Sequence, residues 1–537
     1  MDQDEHHFRR RLSTFDLTLI GFGAIFGSGW LFGAAHVAAI AGPSSLISWL
    51  IGGIAILLLA LVLAELGACL PLAGGIIRYP DYTHGPVAGF IMGFVSVISL
   101  SSMSAIEVVA ARSYANSWVP GLTQPNSGDP TLIGWGLQAF ILLLLYLINR
   151  QGITSFAITN LIMTVIKFVV PVLVVVCLLV YFQPSQMTQH GFFAGGFSGM
   201  EAAISTGGII FAYLGLTPII GAAREVKNPH KAIPIAVISS ALLATTIYFL
   251  LETAFLGSIP PAFMTTGWVG IEKKFALPYH DIALILGLGW LATLVVADAI
   301  ISPTGAGNIY LNSTSRMIYA WAKTGTFFKV FTHVNKKSGN PAPALNLSFG
   351  LALFWTLPFP SWQALVGVVS SATILSYGIA PVAAASLRFS SPTLNRPFKI
   401  PFFNIITPVA FVISTLIVFW SGWEIDSWLL SVTLICALLF MAWRSYKSHN
   451  PFEEEFIALL RPSAWLLVWC MGLIIFSWAG QMGGIGLIPH PLDDGLIALF
   501  CLGIYHWGKT SGKPTIAQEE SIEETMEETM EEALPGK

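Results

Sequence analysis

The chain has 537 residues, of which 55% are hydrophobic and only 10% are charged, with a formal net charge of −3 at pH 7. Soluble domains carry about 25% charged residues, so this composition argues against a soluble globular protein, and nothing in it indicates nucleic-acid binding. The five cysteines are far apart, with neither metal-ligand spacing nor a disulfide framework, so we expect no metal site.

Apolar runs of about 20 residues predict transmembrane helices. About fourteen such runs follow one another along the chain: 15–38, 45–69, 87–117, 131–149, 155–182, 200–221, 233–256, 281–305, 342–359, 363–387, 405–422, 427–444, 463–481 and 487–507. Most of the Lys and Arg residues then fall on the side of both termini, which predicts that both termini are cytoplasmic. The first run is too long for a cleavable signal peptide.

The first span is interrupted near its middle by Gly27-Ser28-Gly29. Glycines let the backbone leave helical geometry, and a membrane helix tolerates such a break only where it lines a cavity or is buried in protein. The N–H groups freed at the start of the second half-helix are suited to hold a carboxylate. We therefore predict a substrate site at Ile25, Gly27, Ser28 and Gly29. Close packing of small residues is the alternative explanation.

Spans 3 and 5 carry ionisable residues at membrane depth, where such residues usually serve a function. Glu107 and Arg112 lie about 140° apart around one helix and cannot pair. Glu107 is a candidate proton site, and Arg112 either recruits an acidic substrate or extends towards the membrane surface. Lys167 lies near the bilayer centre, where an ammonium is costly. We predict that Lys167 carries a coupling proton; the alternative is a structural ammonium that satisfies carbonyl groups of span 1.

Span 6 is interrupted in the same way, between Phe211 and Pro218. The predicted substrate-binding residues of this break are Phe211, Ala212, Tyr213, Gly215 and Thr217, with Tyr213 as an aromatic gate. On span 8, Asp298 is the expected counter-charge of Lys167 or a second proton site, unless it is solvated at the helix end. Arg316 is expected to hold an inner gate through ion pairs.

Paired breaks in two halves of a membrane protein indicate the binding site of a transporter. The predicted fold class is all-α integral membrane, with a ten-span core at 15–388 made of two five-span units, 15–182 and 200–388. Each unit has an odd number of spans, so the second is inverted relative to the first. The remaining predicted parts are a cytoplasmic N-terminus at 1–14, four further spans at 405–507 and an acidic cytoplasmic tail at 511–537.

The C-terminal region carries none of the polar clusters of the core. We expect its four spans to provide packing or contacts for a homo-oligomer, and Glu453–Arg461 to form a short interfacial helix. Four Glu doublets between Glu519 and Glu532 make the tail acidic, and it is either solvated and disordered or an amphipathic helix.

Four stretches of the chain resemble the amino acid–polyamine–organocation (APC) superfamily. They are Gly23–Gly33, Ala64–Gly67 with Pro71–Gly75, Phe211–Gly215 with Glu225–Pro234, and Ser315–Ala320 with Lys323–Gly325. Within this family the chain is most similar to bacterial aspartate–proton symporters, through Gly75–Pro80, Ser104–Val108 with Arg112, and Ile301–Pro303. The resemblance implies the five-plus-five inverted-repeat fold and transport of amino acids or amines.

The resemblance also carries expectations for single residues. Lys167 stands where sodium-coupled relatives bind Na⁺, so it implies proton rather than sodium coupling and no cofactor. Ser302 and Thr304 match the region that offers hydroxyls to sodium in those relatives. Many members carry a carboxylate after the span 6 glycine, where this chain has Thr217, and this departure removes one reason to exclude an acidic substrate.

The leading hypothesis is a proton-coupled amino-acid symporter of a bacterial inner membrane, with aspartate as the favoured substrate and the lipid bilayer as its surroundings. An antiporter that exchanges amino acids is the alternative within transport. From other classes, a non-transporting amino-acid receptor would be expected to carry a large soluble domain. An enzyme would need a nucleophile–base pair, and the sequence indicates neither.

Overall fold

The computed structural model describes residues 12–72, 74–124, 128–151, 153–222, 226–335 and 339–512, without the side chains of 153–162 and 165. The predicted N-terminal segment is therefore described only from Leu12, and the predicted acidic tail lies outside the described residues beyond Gly512. Within the described ranges the chain is helical, and its β-type pairing is limited to two isolated bridges.

The first half of the chain runs through ten helices. They are α1 (Thr14–Ile25), α2 (Gly29–Ala41), α3 (Ser45–Cys69), α4 (Gly75–His84), α5 (Pro86–Ala115), α6 (Leu132–Arg150), α7 (Ile153–Leu179), α8 (Gly196–Ile204), α9 (Ile209–Tyr213) and α10 (Leu216–Gly221).

The second half continues with eleven helices. They are α11 (Pro229–Ser258), α12 (Ile271–Lys274), α13 (Pro278–Ile285), α14 (Gly289–Lys323), α15 (Ala342–Trp355), α16 (Trp362–Gly378), α17 (Ala380–Ser390), α18 (Phe403–Phe419), α19 (Trp423–Lys447), α20 (Phe452–Ala479) and α21 (Leu492–Ser511).

Nine helical segments within the described residues are long and apolar enough to cross a membrane. Four shorter apolar helices, such as α1 and α18, accompany them. Large apolar side chains are exposed on their outer faces, among them Leu132 of α6 and Ile405 of α18, where lipid rather than water is the compatible surroundings. The protein is therefore a multi-pass membrane protein, and the count of fourteen spans stays a prediction.

The helix ends agree with the predicted interruptions and differ elsewhere. Helix α1 ends at Ile25 and α2 begins at Gly29, and α9 ends at Tyr213 before α10 begins at Leu216. Span 8 was predicted to end at 305, but α14 continues to Lys323, because its polar second half is buried by neighbouring helices. The predicted separate helix Glu453–Arg461 is also wrong, since α20 is continuous through Pro462.

Long helices pack in pairs around the two broken spans. Helix α3 packs along α11, and α5 packs along α14, while the short pieces α1, α2, α9 and α10 lie between these pairs. The C-terminal helices form a second group, in which α19 packs on α20 and α18 on α21. The interrupted parts of both spans are thus buried within protein, which is the condition under which irregular backbone is stable at membrane depth.

Candidate functional site

The first break leaves four consecutive carbonyl groups at the end of α1, from Gly23 to Phe26. A helix end in an apolar interior needs partners for such groups, and here each one accepts a hydrogen bond from a side chain of another helix. The donors are Lys167 Nζ to Gly23 O at 2.6 Å, Tyr310 Oη to Ala24 O at 2.9 Å, Tyr248 Oη to Ile25 O at 2.9 Å and Ser302 Oγ to Phe26 O at 3.1 Å.

The opposite face of the break, the N-terminus of α2, is occupied by the carboxylate of Glu107. The backbone N–H of Ser28 donates to Glu107 Oε2 at 2.8 Å. A Cβ atom at position 27 would lie 2.2 Å from Glu107 Oε1, so only glycine leaves room for this side chain. The start of this half-helix, where the helix dipole favours an anion, is therefore occupied by a carboxyl group of the protein itself.

Lys167 connects the two faces of the break electrostatically. Its ammonium is fully buried, and the charges of Glu107 and Asp298 both act on it. Neither carboxylate oxygen of Asp298 has a hydrogen-bond partner among the described residues, although the side chain is buried. One amine and two carboxyl groups thus share a buried site, and a proton exchanged with any one of them changes the charge that the others experience.

The second break, at Leu214 and Gly215, is joined to the first by a shared tyrosine. Tyr310 Oη lies 2.7 Å from Leu214 O as well as 2.9 Å from Ala24 O. The two broken spans also touch directly, because a Cβ atom at Gly29 would lie 2.7 Å from the Cα of Ala212. Motion of one half-helix therefore has to be accommodated by the other.

The polar partners of the second break are neutral. Thr217 lies in the first turn of α10, and its backbone N–H and its hydroxyl donate to Tyr377 Oη at 3.2 Å and 2.9 Å. Both side chains are buried. A hydroxyl pair can orient a polar ligand without demanding a charge of either sign.

An indole lies over the first break. Trp362 Nε1 donates to Ser28 Oγ at 2.9 Å, its ring stacks on Phe32, and Phe211 meets it edge-on with ring centroids 5.7 Å apart. Tyr213, the predicted gate, lies elsewhere: its hydroxyl donates to Trp49 O at 2.9 Å and its ring packs against Tyr248. Trp362 and Phe211 are therefore the aromatic side chains that cover the break.

A histidine–carboxylate contact lies farther along α2, at His36. His36 Nδ1 lies 2.9 Å from Glu272 Oε1, and the imidazole is edge-on to Trp362. Burial alone would raise the pKa of Glu272, but the hydrogen bond and the charge of His36 outweigh it and lower that pKa. The covering tryptophan is thus held between the break and the contact of His36 with Glu272.

Arg112 and Thr304, two of the predicted residues, lie outside this cluster. Arg112 donates to the backbone oxygens of Gly128 and Pro360 at 3.1 and 3.5 Å, at the loop end of α5 rather than at the break. The hydroxyl of Thr304 donates within its own helix, to Ile300 O at 2.6 Å.

Arg316 lies on the side of the site where α1 begins, close in space to Leu12. Its Nε donates to Asn312 Oδ1 at 2.6 Å, and both line a small cavity with Leu12 and Pro218. This cavity reaches from the first turns of α1 to α10, so Arg316 lies where the two broken spans leave the site.

The structure also brings in residues that the sequence analysis missed. Tyr248 and Tyr377 lie within predicted apolar runs, Trp362 lies one residue before a run, and Tyr310 lies just beyond the predicted end of span 8. All four resemble ordinary core side chains. The available signal was their polar tip, because a tyrosine hydroxyl or an indole N–H buried at mid-span needs a hydrogen-bond partner.

Comparisons with known proteins agree with this architecture. Residues 12–442 match the family model described as amino acid permease. The chain is 48% identical to the aspartate-proton symporter of Bacillus subtilis (strain 168), over 95% of this chain and 98% of that protein. It is 35% identical to the glutamate/serine transporter AimA of the same organism, over 95% of each chain. Human cationic amino acid transporter 4 is 29% identical over 72% of this chain and 61% of its own length. With two broken helices packed together inside a bundle, and with these relatives matching almost end to end, the chain belongs to the amino acid permease family of the APC superfamily.

Proposed function

We propose that the protein imports an amino acid, with aspartate as the preferred substrate, by symport with protons. Two relatives that match 95% of the chain support an acidic substrate, since one is named an aspartate-proton symporter and the other a glutamate/serine transporter. The neutral pair Thr217 and Tyr377 at the second break agrees with this substrate, because no fixed carboxylate there would repel its side chain.

The observation that carries the proposal is the position of Glu107. Its carboxylate accepts the Ser28 N–H at the start of α2, which is where the carboxylate of an amino acid would be expected to bind. Protein and substrate carboxylates therefore compete for the same donors. Protonation of Glu107 removes its charge and weakens its hold on them, so a proton and an acidic substrate enter the site together.

Lys167 and Asp298 complete the proposed coupling group. With Glu107 ionised, the Lys167 ammonium is balanced by two carboxylates; with Glu107 protonated, it is balanced by Asp298 and can attract the incoming anion. Lys167 also holds the carbonyl of Gly23 at the end of α1, so a change in its charge acts on the backbone of the break. Sodium is not required in this scheme, because an ammonium already supplies the positive charge.

The finer architecture belongs to the same proposal. We place the transport core at 15–388 as two inverted five-span units and assign 405–507 to four additional spans, with the segment before residue 15 and the tail from 511 onward in the cytoplasm of a bacterium. The pairing of α3 with α11 and of α5 with α14 supports the repeat, since each pair joins corresponding spans of the two units. The second helix group, α18 to α21, is the proposed surface for a homo-oligomer.

The substrate-binding roles are assigned to the two breaks. The backbone of Ile25 to Gly29 and of Phe211 to Gly215 is proposed to bind the substrate's amino and carboxyl groups, with Thr217 nearby.

The residues around the breaks have supporting roles in this proposal. Ser302 holds the end of α1 through Phe26 O, and Arg316 belongs to the inner gate. Arg112 is proposed to attract acidic substrate from the loop end of α5, and Tyr213 supports α9 through its bond to α3.

The test is uptake of radiolabelled aspartate into proteoliposomes that contain the purified protein, with an inward proton gradient and no sodium. Accumulation that collapses with a protonophore, and that glutamate but neither arginine nor leucine inhibits, is the expected result. Uptake only into vesicles preloaded with an amino acid would replace symport by exchange. Saturable aspartate binding without any uptake would instead favour a receptor.

A further inference from the structure

A cleft of about 370 Å³ lies away from the breaks, between α8 and the loop that joins α20 to α21. Its lining residues are Gly195, Ser198, Gly199, Ala202, Gln481, Met482, His490 and Asp493. The cleft therefore separates the helix that leads into the second break from the C-terminal group of helices.

Three side chains converge beside this cleft: Glu201 of α8, His490 of the loop and Asp494 of α21. One ligand atom from each lies within 4.8 Å of the other two. His490 Nε2 is 3.6 Å from Glu201 Oε2, and His490 Nδ1 is 3.7 Å from Asp494 Oδ2. These contacts are too long for strong hydrogen bonds, and the carboxyl groups of Glu201 and Asp494 lie close enough to share a hydrogen bond when one of them is protonated.

A fourth side chain, Asp493, is fully buried and lines the same cleft. Its Oδ1 lies 3.3 Å from His490 Nδ1 and accepts the backbone N–H of Asp494 at 3.0 Å. Its Oδ2 has no hydrogen-bond partner among the residues that the structure describes. A buried carboxylate oxygen without a partner is costly, and a cation held beside Asp493 and His490 would relieve that cost.

We propose that Glu201, His490 and Asp494 bind a divalent transition-metal ion, with Zn²⁺ as the best match. One imidazole nitrogen with carboxylate oxygens is a donor set that zinc accepts, whereas Ca²⁺ and Mg²⁺ prefer oxygen alone. Ligand atoms about 2.0–2.2 Å from zinc lie roughly 3.2–3.6 Å apart at tetrahedral angles, close to the separation of His490 Nε2 and Glu201 Oε2. Asp494 Oδ2 lies nearer to Nδ1 and has to turn towards Nε2 to complete the ligand set. Asp493 is a positioning residue that orients His490, as carboxylates beside metal-bound histidines commonly do.

An ion bound at this position would link α8 to the C-terminal helices. Glu201 belongs to the polypeptide that continues through Ser205 into the second break, and Ser205 Oγ already donates to Trp420 O at 2.8 Å. Trp420 Nε1 in turn donates to Asp494 Oδ1 at 3.0 Å. A bound metal would fasten α8 to the C-terminal helices at one point and limit how far the broken span moves. The sequence analysis did not predict this site, because Glu201 is separated from His490 and Asp494 by almost 300 positions along the chain.

Titration calorimetry with ZnCl₂ on the purified full-length protein in detergent tests the site without any measurement of transport. We expect one ion per chain, with affinity at least ~100-fold weaker in His490→Gln and in Glu201→Gln, and about 10–100-fold weaker in Asp493→Asn. The matched control is His506→Gln, an exposed histidine on α21 that lies outside the cluster, which should bind as the unaltered protein does.

Cobalt provides a second readout for the same variants. Co²⁺ bound by one nitrogen and carboxylate oxygens should give visible absorption bands that disappear in Glu201→Gln and persist in His506→Gln. Monodispersity and the unfolding temperature without metal identify any variant that fails to fold, and Glu201→Gln and His490→Gln are independent substitutions on different elements. Absence of stoichiometric binding, or equal binding by His490→Gln and the unaltered protein, would overturn the proposal.

Discussion

The two helix breaks lie against each other and share Tyr310, yet they differ in the chemistry of their partners. Buried charges surround the first break, where Lys167 holds a carbonyl and Glu107 holds an amide. The second break is held by hydroxyl groups, from Tyr310 to Leu214 O and between Thr217 and Tyr377. Groups that exchange protons are thus concentrated at one break only.

This difference separates two tasks. Changes in protonation act on the first break, because a buried ionic partner responds to pH whereas a neutral hydroxyl does not. The second break keeps its hydrogen bonds at any physiological pH and is suited to select the substrate. Substitutions of the ionisable partners of the first break should therefore alter coupling, and substitutions at the second break should alter affinity.

The largest effect is expected for Lys167→Ala. Removal of the ammonium leaves Gly23 O without its partner and two carboxylates without a cation, and loss of one member of a buried ion pair costs about 3–5 kcal/mol. Proton-driven aspartate accumulation in proteoliposomes should fall at least ~100-fold. Lys167→Arg keeps the positive charge but removes proton exchange, since a guanidinium stays protonated. If the Arg variant still accumulated aspartate in response to a proton gradient, Lys167 would be structural only.

Glu107→Gln should abolish coupling while leaving binding in place. Glutamine resembles the protonated carboxylic acid in shape and cannot exchange a proton, so aspartate exchange should persist and gradient-driven accumulation should be lost. Uptake by the unaltered protein should decrease as the pH rises, because Glu107 then stays ionised at the Ser28 amide, and the variant should show a flat pH profile.

Glu252→Gln is the matched control for this prediction. Glu252 is an equally buried carboxyl group, but it accepts a hydrogen bond from Ser45 at 2.7 Å and lies away from the break. The Glu252→Gln variant should retain the pH profile of the unaltered protein. A sloping profile for Glu107→Gln, or a flat one for both variants, would remove the assignment of coupling to the first break.

The sequence predicted where the backbone is interrupted but not what satisfies it. Glycines in Gly27–Gly29 and at Gly215 are local signals, and an ionisable residue such as Lys167 within an apolar run is conspicuous by itself. The partners Tyr248 and Tyr310 reach the break from helices more than 200 positions away along the chain, and the sequence around a tyrosine does not show which carbonyl its hydroxyl meets. Such pairings depend on how helices pack, which periodicity alone does not determine.

At the second break, Thr217→Asp should change selectivity rather than coupling. A carboxylate beside Tyr377 would face the acidic side chain of aspartate, and like charges in contact cost several kcal/mol. We expect KM for aspartate to rise by about tenfold to a hundredfold. Thr217→Asn has the shape of the Asp variant without its charge and should leave KM within a few-fold of the original. An equal loss in both variants would attribute the effect to shape and not to charge.

The smallest effect is expected where an uncharged hydrogen bond is removed from the first break. Trp362→Phe keeps an aromatic ring over the break but removes the bond from Nε1 to Ser28 Oγ, which is worth about 1 kcal/mol. Aspartate uptake should fall about fivefold with its pH profile unchanged, because no proton-exchanging group is altered. Trp355→Phe is the matched control, since its Nε1 donates at the same distance of 2.9 Å to Ser101 Oγ, a hydroxyl that does not belong to either break. A change in the pH profile of Trp362→Phe would mean that neutral partners also take part in coupling, and the division of tasks between the two breaks would fail.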